Sequence, residues 1–286
     1  MAGSEALLAY AIAAGHDLHL FDRAKNAAEL SNDLGIPAHR LRILLDVLVA
    51  TGAMTRTGDI YAPGAPQPRT EVPRTGWGLI ADVIRADRPL PLENGRGYHE
   101  HLVQAGGAAA RELAPLLAGD SLLDLGGGAG AYTEAFLDTH PHARATLVDA
   151  PEVIALAAER LGRFGERLTL ITGDARDSFP RHDTVLLANV LHLHGEAACA
   201  AIVASARRAG GRVVVKDVRI DEDRRGPLEG LLFALGMAIY TEAGDVHRAS
   251  TIRGWLGEAV EHRLASTDHL VLVADEVGAA RRDETR

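Results

Sequence analysis

The chain has 286 residues, 47% of them hydrophobic and 24% charged, the balance of an ordinary soluble globular protein with one large domain or two smaller ones. With 30 Lys+Arg against 39 Asp+Glu its formal net charge is −9, which argues against a general nucleic-acid binder. The longest apolar run, near Gly230–Tyr240, is too short to span a bilayer, and the opening MAGSEALLAY has no basic signal-peptide start, so a cytoplasmic protein is expected.

In chain order, EALLAYAIAAG predicts an apolar helix ending at Gly15, and NAAELSNDLGI a second helix stopped by Gly35. PAHRLRILLDVLVATGAM opens with Pro37 at a first-turn position and places Leu41, Leu44, Leu45 and Leu48 on one face. MTRTGDIYAP reads as a short hairpin turning near Thr57–Asp59. Helix, helix-turn-helix and hairpin make a winged-helix outline. Ala6–Ile12 and Leu41–Val49 carry more apolar surface than so small a unit buries alone, which predicts a homodimer. The outline also suits a DNA-binding regulator. Arg40 and Arg42 would serve that role, but Asp46 follows them and the chain is acidic.

APGAPQPRTEVP, with Pro63, Pro66, Pro68 and Pro73, marks a linker. From Gly76 to Leu117 the pattern is helical, with a loop at RPLPLENGRG. After Ser121, strand-like runs at Leu122–Leu125, Ala145–Asp149, Leu168–Thr172, Thr184–Ala188 and Arg212–Val218 alternate with helical runs such as Glu152–Leu161 and Glu196–Arg208. That alternation predicts a parallel sheet with helices on both faces. Cys199, the single cysteine, lies in EAACAAIV and reads as a small buried hydrophobe rather than a catalytic thiol. The tail HRLASTDHLVLVADE predicts two more strands around a tight turn, and the final RRDETR a frayed end.

The stretch SLLDLGGGAGAY, Ser121–Tyr132, carries Gly126, Gly128 and Gly130 between a strand and a helix, the setting of a nucleotide site. A nicotinamide fingerprint can be fitted to Gly126, Gly128 and Ala131. Asp149, 19 residues past Gly130 and at the end of the next strand, would bind ribose hydroxyls of either a nicotinamide cofactor or S-adenosylmethionine (SAM). Two acids favour SAM. Asp124, closing the strand, suits an amino group and would repel a pyrophosphate. Asp174, in ITGDARDSF past the third strand, suits the adenine amino group. Each of the three acids also fits a helix N-cap.

The stretches LLDLGGGAGAYTEAFLDTHPHARATLVDAPEVIALA, GDARDSF, LLANVLHLHGE and AGGRVVVKDV resemble the caffeate/hydroxyindole-type class I SAM-dependent O-methyltransferases, and LLDVLVATGAMTRTGDIYAPG is similar to their N-terminal module. The resemblance covers nearly the whole chain. It implies an α/β fold: an N-terminal all-α/winged-helix domain, then a Rossmann-like domain with a seven-stranded sheet and one antiparallel strand. It also implies a dimerisation domain over 1–72, a helical linker lining the acceptor pocket over 73–117, and a catalytic domain over 118–286.

The resemblance implies SAM as cofactor, held by Asp124, Gly126, Gly128, Gly130, Asp149 and Asp174, with Ala175 where an aromatic often follows the last acid. His192, in LHLH, falls on the general-base position, and Asp217, in VVVKDV, on the acid that orients it. Glu242, Asp245 and His247 are alternatives for a second assisting group. Trp77, Tyr98, Met237 and Tyr240 fall where the acceptor is contacted, with His99 and His101 nearby. His194 stands two residues beyond His192; that spacing alone does not make a metal pair, no Cys/His cluster supports one, and no metal is expected. The implied reaction methylates a hydroxyl of a small aromatic or polyketide-like secondary metabolite by direct displacement, with His192 removing the proton. N-, S- or C-methylation, or a non-methylating reaction, would use the same fold. The implied partners are a small-molecule acceptor and a second copy of the chain, with neither nucleic acid nor membrane.

Overall fold

The structure, a computed structural model, describes residues 4–22, 24–92 and 95–276. The terminal RRDETR, expected as a frayed end, lies outside the described residues. The first part of the chain forms α1 (Ser4–Asp17), β1 (Lys25–Asn26), α2 (Ala27–Leu34), α3 (Ala38–Ala50), β2 (Met54–Thr57), β3 (Ile60–Pro63), α4 (Ile80–Ala86) and α5 (Arg96–Leu113). It continues with β4 (Ser121–Leu125), α6 (Ala131–Thr139), β5 (Arg144–Asp149), α7 (Pro151–Leu161), β6 (Leu168–Thr172) and β7 (His182–Ala188). The last elements are α8 (Glu196–Ala209), β8 (Gly210–Asp217), α9 (Leu228–Tyr240), α10 (Ala249–Leu256), β9 (Val260–His262) and β10 (Leu270–Asp275). The chain divides into two compact units. One comprises Met1–Leu92, His192–His194 and Arg219–Arg248; the other comprises Glu93–Leu191, Gly195–Val218 and Ala249–Arg286.

In the first unit α1 does not stop at Gly15 but runs to Asp17. Gly15 serves close packing instead: a Cβ there would stand 2.7 Å from Phe21 Cζ and 3.2 Å from Leu48 Cδ1. A capping box starts α2, with Glu29 N–H donating to Asn26 Oδ1 (2.8 Å) and Asn26 N–H to Glu29 Oε2 (3.0 Å). Gly35, at φ +64°, ends it as expected. Pro37 stands at the N-cap of α3, one position before the first turn. β2 and β3 form the expected hairpin, with Thr57 paired to Ile60 across Gly58–Asp59. They make a three-stranded sheet with β1, in the order β1-β3-β2.

The apolar face of α3 is not left open for a second copy. Leu41, Leu44, Leu45 and Leu48 are all fully buried, and α3 packs on α9 of the same unit. The short-range pattern could not reveal a covering helix from so far along the chain. Val49 at the end of α3, and Leu7, Leu8 and Ile12 of α1, are half-buried and keep part of the expected apolar surface. Arg40 is also turned inward, 1% exposed. Its guanidinium donates to the carbonyls of Ala238, Thr241 (3.0 Å) and Glu242 (2.8 Å) and to Asp87 Oδ1 (2.9 Å). It therefore satisfies the carbonyls at and beyond the C-terminus of α9, and is not a cation offered to DNA.

The second unit is built on a seven-stranded sheet in the order β6-β5-β4-β7-β8-β10-β9. The ladders from β6 to β8 are parallel; β10 is antiparallel to both β8 and β9, and so is the one reversed strand. The tail strands lie across residues 263–269 rather than a tight turn, because the first ends at His262 and the second begins at Leu270. Side chains alternate between two cores. Leu122, Leu147, Leu186 and Val214 pack with α5, α6 and α7. Leu123, Val148, Val185 and Val213 pack with α8 and α10. Cys199 lies in the second core, fully buried, and burial pushes its thiol up to about 12, as expected of a structural cysteine.

Candidate active site

The carboxyl ends of β4 and β5 hold the glycine loop, the position at which parallel sheets expose ligand-binding turns. Gly126, Gly128 and Gly130 all have left-handed backbone, at φ +69°, +59° and +84°, which side-chain-bearing residues rarely adopt. At Gly128 this conformation aims the N–H at Asp149 Oδ2, 2.8 Å away. Gly130 is the N-cap of α6. Gly126 N–H donates to the Val148 carbonyl (2.8 Å), so the loop is laced to the end of β5.

Asp124 does not close β4; Leu125 does. The acid lies one residue further in, completely buried. Its Oδ2 accepts from Thr133 Oγ1 at 2.6 Å, while Oδ1 finds no hydrogen-bond partner among the described residues. Burial, with a smaller push from Asp149 and against the pull of Thr133, drives its carboxyl up to about 7. A buried unpartnered oxygen is costly unless something donates to it. The helix-cap alternative fails for two of the acids. The N-cap of α6 is Gly130 and that of α7 is Ala150, with no side-chain cap bond at either. Asp149 instead joins Gly128 N–H to Ala150 N–H, the latter at 2.7 Å. Asp174 follows Gly173, whose N–H donates to the Asp149 carbonyl (3.2 Å). Its carboxylate is half-exposed and accepts from Arg176 N–H (2.8 Å) and Nε (2.7 Å).

The same unit holds Asp217 at the end of β8, 3% exposed, with its Oδ1 accepting from Val218 N–H at 2.7 Å. It also holds Tyr98, 39% exposed on α5. Nothing in the local pattern singles out Lys216. It is buried, donates to Asn189 Oδ1 at 2.7 Å and lies 5.9 Å from the centre of the Tyr132 ring. Burial draws its ammonium down to about 8, against the charge of Asp217. A cavity of about 400 Å³ is lined by Ala129 and residues of α5 and α7, including His99 and Arg160, but by none of the three acids.

The first unit holds His192, Trp77, Met237 and Tyr240. His192 sits in the one-turn helix Leu191–Leu193 and is 7% exposed. Its ring stands edge-on to Phe233, with centroids 4.8 Å apart at 83°. Along α9 the residues Phe233, Met237 and Tyr240 are half-buried, while Leu232 and Leu235 are core. Their spacing puts them on one stripe of the helix. Trp77 reaches that helix at Gly236, where a Cβ would lie 3.4 Å from Trp77 Cζ2. Of the three possible assisting groups, Glu242 is exposed, and His247 Nε2 is 2.9 Å from the His194 carbonyl. Asp245 is committed elsewhere: its Oδ1 accepts from Arg224 Nη2 (2.9 Å) and its Oδ2 from Arg42. Burial opposes ionisation of Asp245, but Arg224 and Arg42 outweigh it and hold the carboxyl below the usual range. Phe233 and Arg224 were missed from sequence. An acid inside the apolar run of α3, Asp46, was the available signal for a buried ion network.

The fold and glycine loop define a class I methyltransferase-like protein. Residues 79–260 match the family described as O-methyltransferase domain. The chain is 30% identical to 3-hydroxy-5-methyl-1-naphthoate 3-O-methyltransferase of Streptomyces sahachiroi, over 82% of this chain and 79% of that protein. It resembles the crystal structure of an O-methyltransferase family 2 protein from Planctomyces limnophilus in complex with apigenin, with TM-score 0.77, 26% identity, and 96% and 93% of the two chains covered. Its fold is also like that of human N-acetylserotonin methyltransferase in complex with SAM, with TM-score 0.56, 24% identity, and 96% and 93% covered. The chain belongs to the O-methyltransferase domain family. It is a methyltransferase, and SAM is its methyl donor. The residues fit that cofactor: Asp124 keeps an oxygen for a donor, and the left-handed loop presents backbone beside Asp149. Among the described residues no helix is long and apolar enough to cross a membrane.

Proposed function

We propose that the chain methylates a hydroxyl of a small aromatic or polyketide-like molecule, with His192 as general base. The observation that carries this reading is the half-buried stripe Phe233, Met237 and Tyr240 on α9, with the His192 ring edge-on to Phe233. Half-buried aromatic and thioether side chains suit a flat apolar ligand, and the imidazole beside them suits its ionisable hydroxyl. The naphthoate acceptor named for the Streptomyces relative and the apigenin bound to the Planctomyces protein are molecules of that kind.

Bound SAM would supply a methyl group on a cationic sulfur, with S-adenosylhomocysteine as the leaving group. Asp124, Asp149 and the loop of Gly126, Gly128 and Gly130 bind the cofactor, and Asp174 serves its adenine. His192 takes the hydroxyl proton, so that the oxygen attacks as an anion. Asp217 supplies negative charge that favours the imidazolium. Trp77, Tyr98, Met237 and Tyr240 contact the acceptor. The functional division is 1–72 for dimerisation, 73–117 for the acceptor wall and 118–286 for the cofactor, in a cytoplasmic homodimer of secondary metabolism.

Incubation with labelled SAM and a panel of phenols, including apigenin, beside amines and thiols tests the acceptor by mass spectrometry. Phenols should acquire the label; labelling confined to amines or thiols would overturn the hydroxyl assignment. His192→Ala should retain affinity for S-adenosylhomocysteine (SAH) and lose about 10²–10⁴-fold in turnover, the span expected for a positioned base. Unchanged turnover would remove His192 from that role.

A further inference from the structure

The turn that carries His192 is clamped from one side by the segment after α9. Asp245 N–H donates to the His192 carbonyl at 3.1 Å. Gly244 lies so close that a Cβ on it would stand 2.6 Å from the same oxygen. His247 Nε2 reaches the His194 carbonyl at 2.9 Å. These contacts fix the backbone on both sides of the Asp245 side chain, and that side chain is itself held by a buried ion network.

Arg224 is the hub of the network. It is 9% exposed, and its backbone is left-handed at φ +55°, unusual for a residue with a side chain. Its Nη2 donates to Asp245 Oδ1 (2.9 Å), its Nη1 to the Val246 carbonyl (2.9 Å) and its Nε to Asp46 Oδ2 (2.7 Å). Asp46, fully buried in α3, also accepts from Arg42 Nη1 (3.1 Å), Arg56 Nη1 (3.2 Å) and Tyr61 Oη (3.3 Å). Thus α3 and the β2–β3 hairpin meet at Asp46, and Arg224, from the loop before α9, joins Asp46 to the Asp245 carboxylate and the Val246 carbonyl. Arg40 secures the start of the same segment through the carbonyls of Thr241 and Glu242.

We propose that Arg224 is a positioning residue for His192, acting through Asp245 and the backbone of 244–246, with Asp46 as its anchor. The proposal rests on the general-base reading of His192. A buried guanidinium bonded at once to Asp46, Asp245 and the Val246 carbonyl gives the segment one geometry. The Asp245 backbone N–H and the His247 ring then transmit that geometry to the His192 turn. A base must be held to within a fraction of an ångström of its productive place, and losing that registration is expensive in rate. Stability alone does not require that a network buried in α3 and the hairpin end on the backbone that grips His192.

The test is a double-mutant cycle of Arg224→Met and His192→Ala, in SAM and the phenol of the panel turned over fastest. Arg224→Met should lower kcat by about 100-fold with the KM for SAM unchanged. In the His192→Ala background it should cost no further loss, since the group it positions is gone. Asp245→Asn keeps the shape of the network and weakens its charge; it should follow the same pattern with a smaller loss, which covers an Arg224→Met that fails to fold. The ¹⁵N resonances of the His192 ring, sharp in the wild type, should broaden in either network variant without any acceptor present. Wild-type kcat in both network variants would overturn the proposal. So would the same loss appearing again on top of His192→Ala, since the network would then act elsewhere. Normal turnover of His192→Ala alone would instead overturn the general base, and the positioning of it with it.

Discussion

Asp124 sits where two requirements conflict. It is fully buried, yet one of its oxygens has no partner and its carboxyl is pushed up to about 7. In the unfolded chain an aspartate titrates near ~4. A carboxyl raised in the folded state stabilises the fold fully below the unfolded value, and that contribution is lost as pH rises through the folded one. Urea unfolding should therefore show Asp124→Asn gaining on the wild type between about pH 4 and pH 7. The ionised form is the one that suits a cofactor ammonium. SAH affinity, by calorimetry, should rise with pH through about 7 in the wild type and lose that rise in Asp124→Asn. Parallel profiles in the two proteins would place Asp124 outside the cofactor site. Asp149 calls for a plainer experiment. Asp149→Ala removes the acceptor for Gly128 N–H and should weaken SAH binding by about 1–3 kcal/mol. At this scale the sequence was informative where backbone chemistry is local: glycines, a strand and acids at fixed spacing. It was silent on the pairing of Arg224 with Asp46, which are 178 residues apart and joined only by folding.

Helix α3 shows how far an element can be read in advance. Its start, its apolar face and the hairpin after it follow from local pattern, and the structure has them close to where the pattern puts them. What covers the face does not follow, because periodicity identifies an apolar stripe without naming its partner. That partner is α9. The two helices are further joined by Arg40, fully inside and bonded to carbonyls of Ala238, Thr241 and Glu242. Arg40→Met strands the buried Ala238 carbonyl and takes the donor from the part-buried carbonyls of Thr241 and Glu242. The variant should lose about 1–3 kcal/mol for each carbonyl stranded, read as a lower urea midpoint. A variant as stable as the wild type would mean that the segment after α9 relaxes to find other donors. The same comparison explains Gly15. A glycine near a helix end reads as a stop, but here close packing on Phe21 and Leu48 decides, and the helix continues.

For the whole molecule, the parallel sheet was legible because its strands carry their own apolar runs and most crossovers their own helix, the seven strands with one reversed followed from the family resemblance, and the strand order emerges only in the fold. Quaternary structure was argued from surplus apolar surface, and the structure removes half of that argument by burying the face of α3. The remaining half is α1, where Leu7, Leu8 and Ile12 stay half-buried and Ala6 is exposed. An apolar helix edge that its own chain leaves partly open is a natural place for a two-fold contact. Light scattering at micromolar concentration should report a dimer, and Leu7→Glu with Leu8→Glu should give a folded monomer, since neither side chain lies in the core. A monomeric wild type would end the dimer proposal. A dimer indifferent to both changes would move the interface away from α1. Duplex DNA added to either form should bind weakly and without sequence preference, because the chain carries a net charge of −9 and turns Arg40 inward. Tight, salt-sensitive and sequence-selective binding would show that the winged-helix outline has kept a regulatory role alongside methyl transfer.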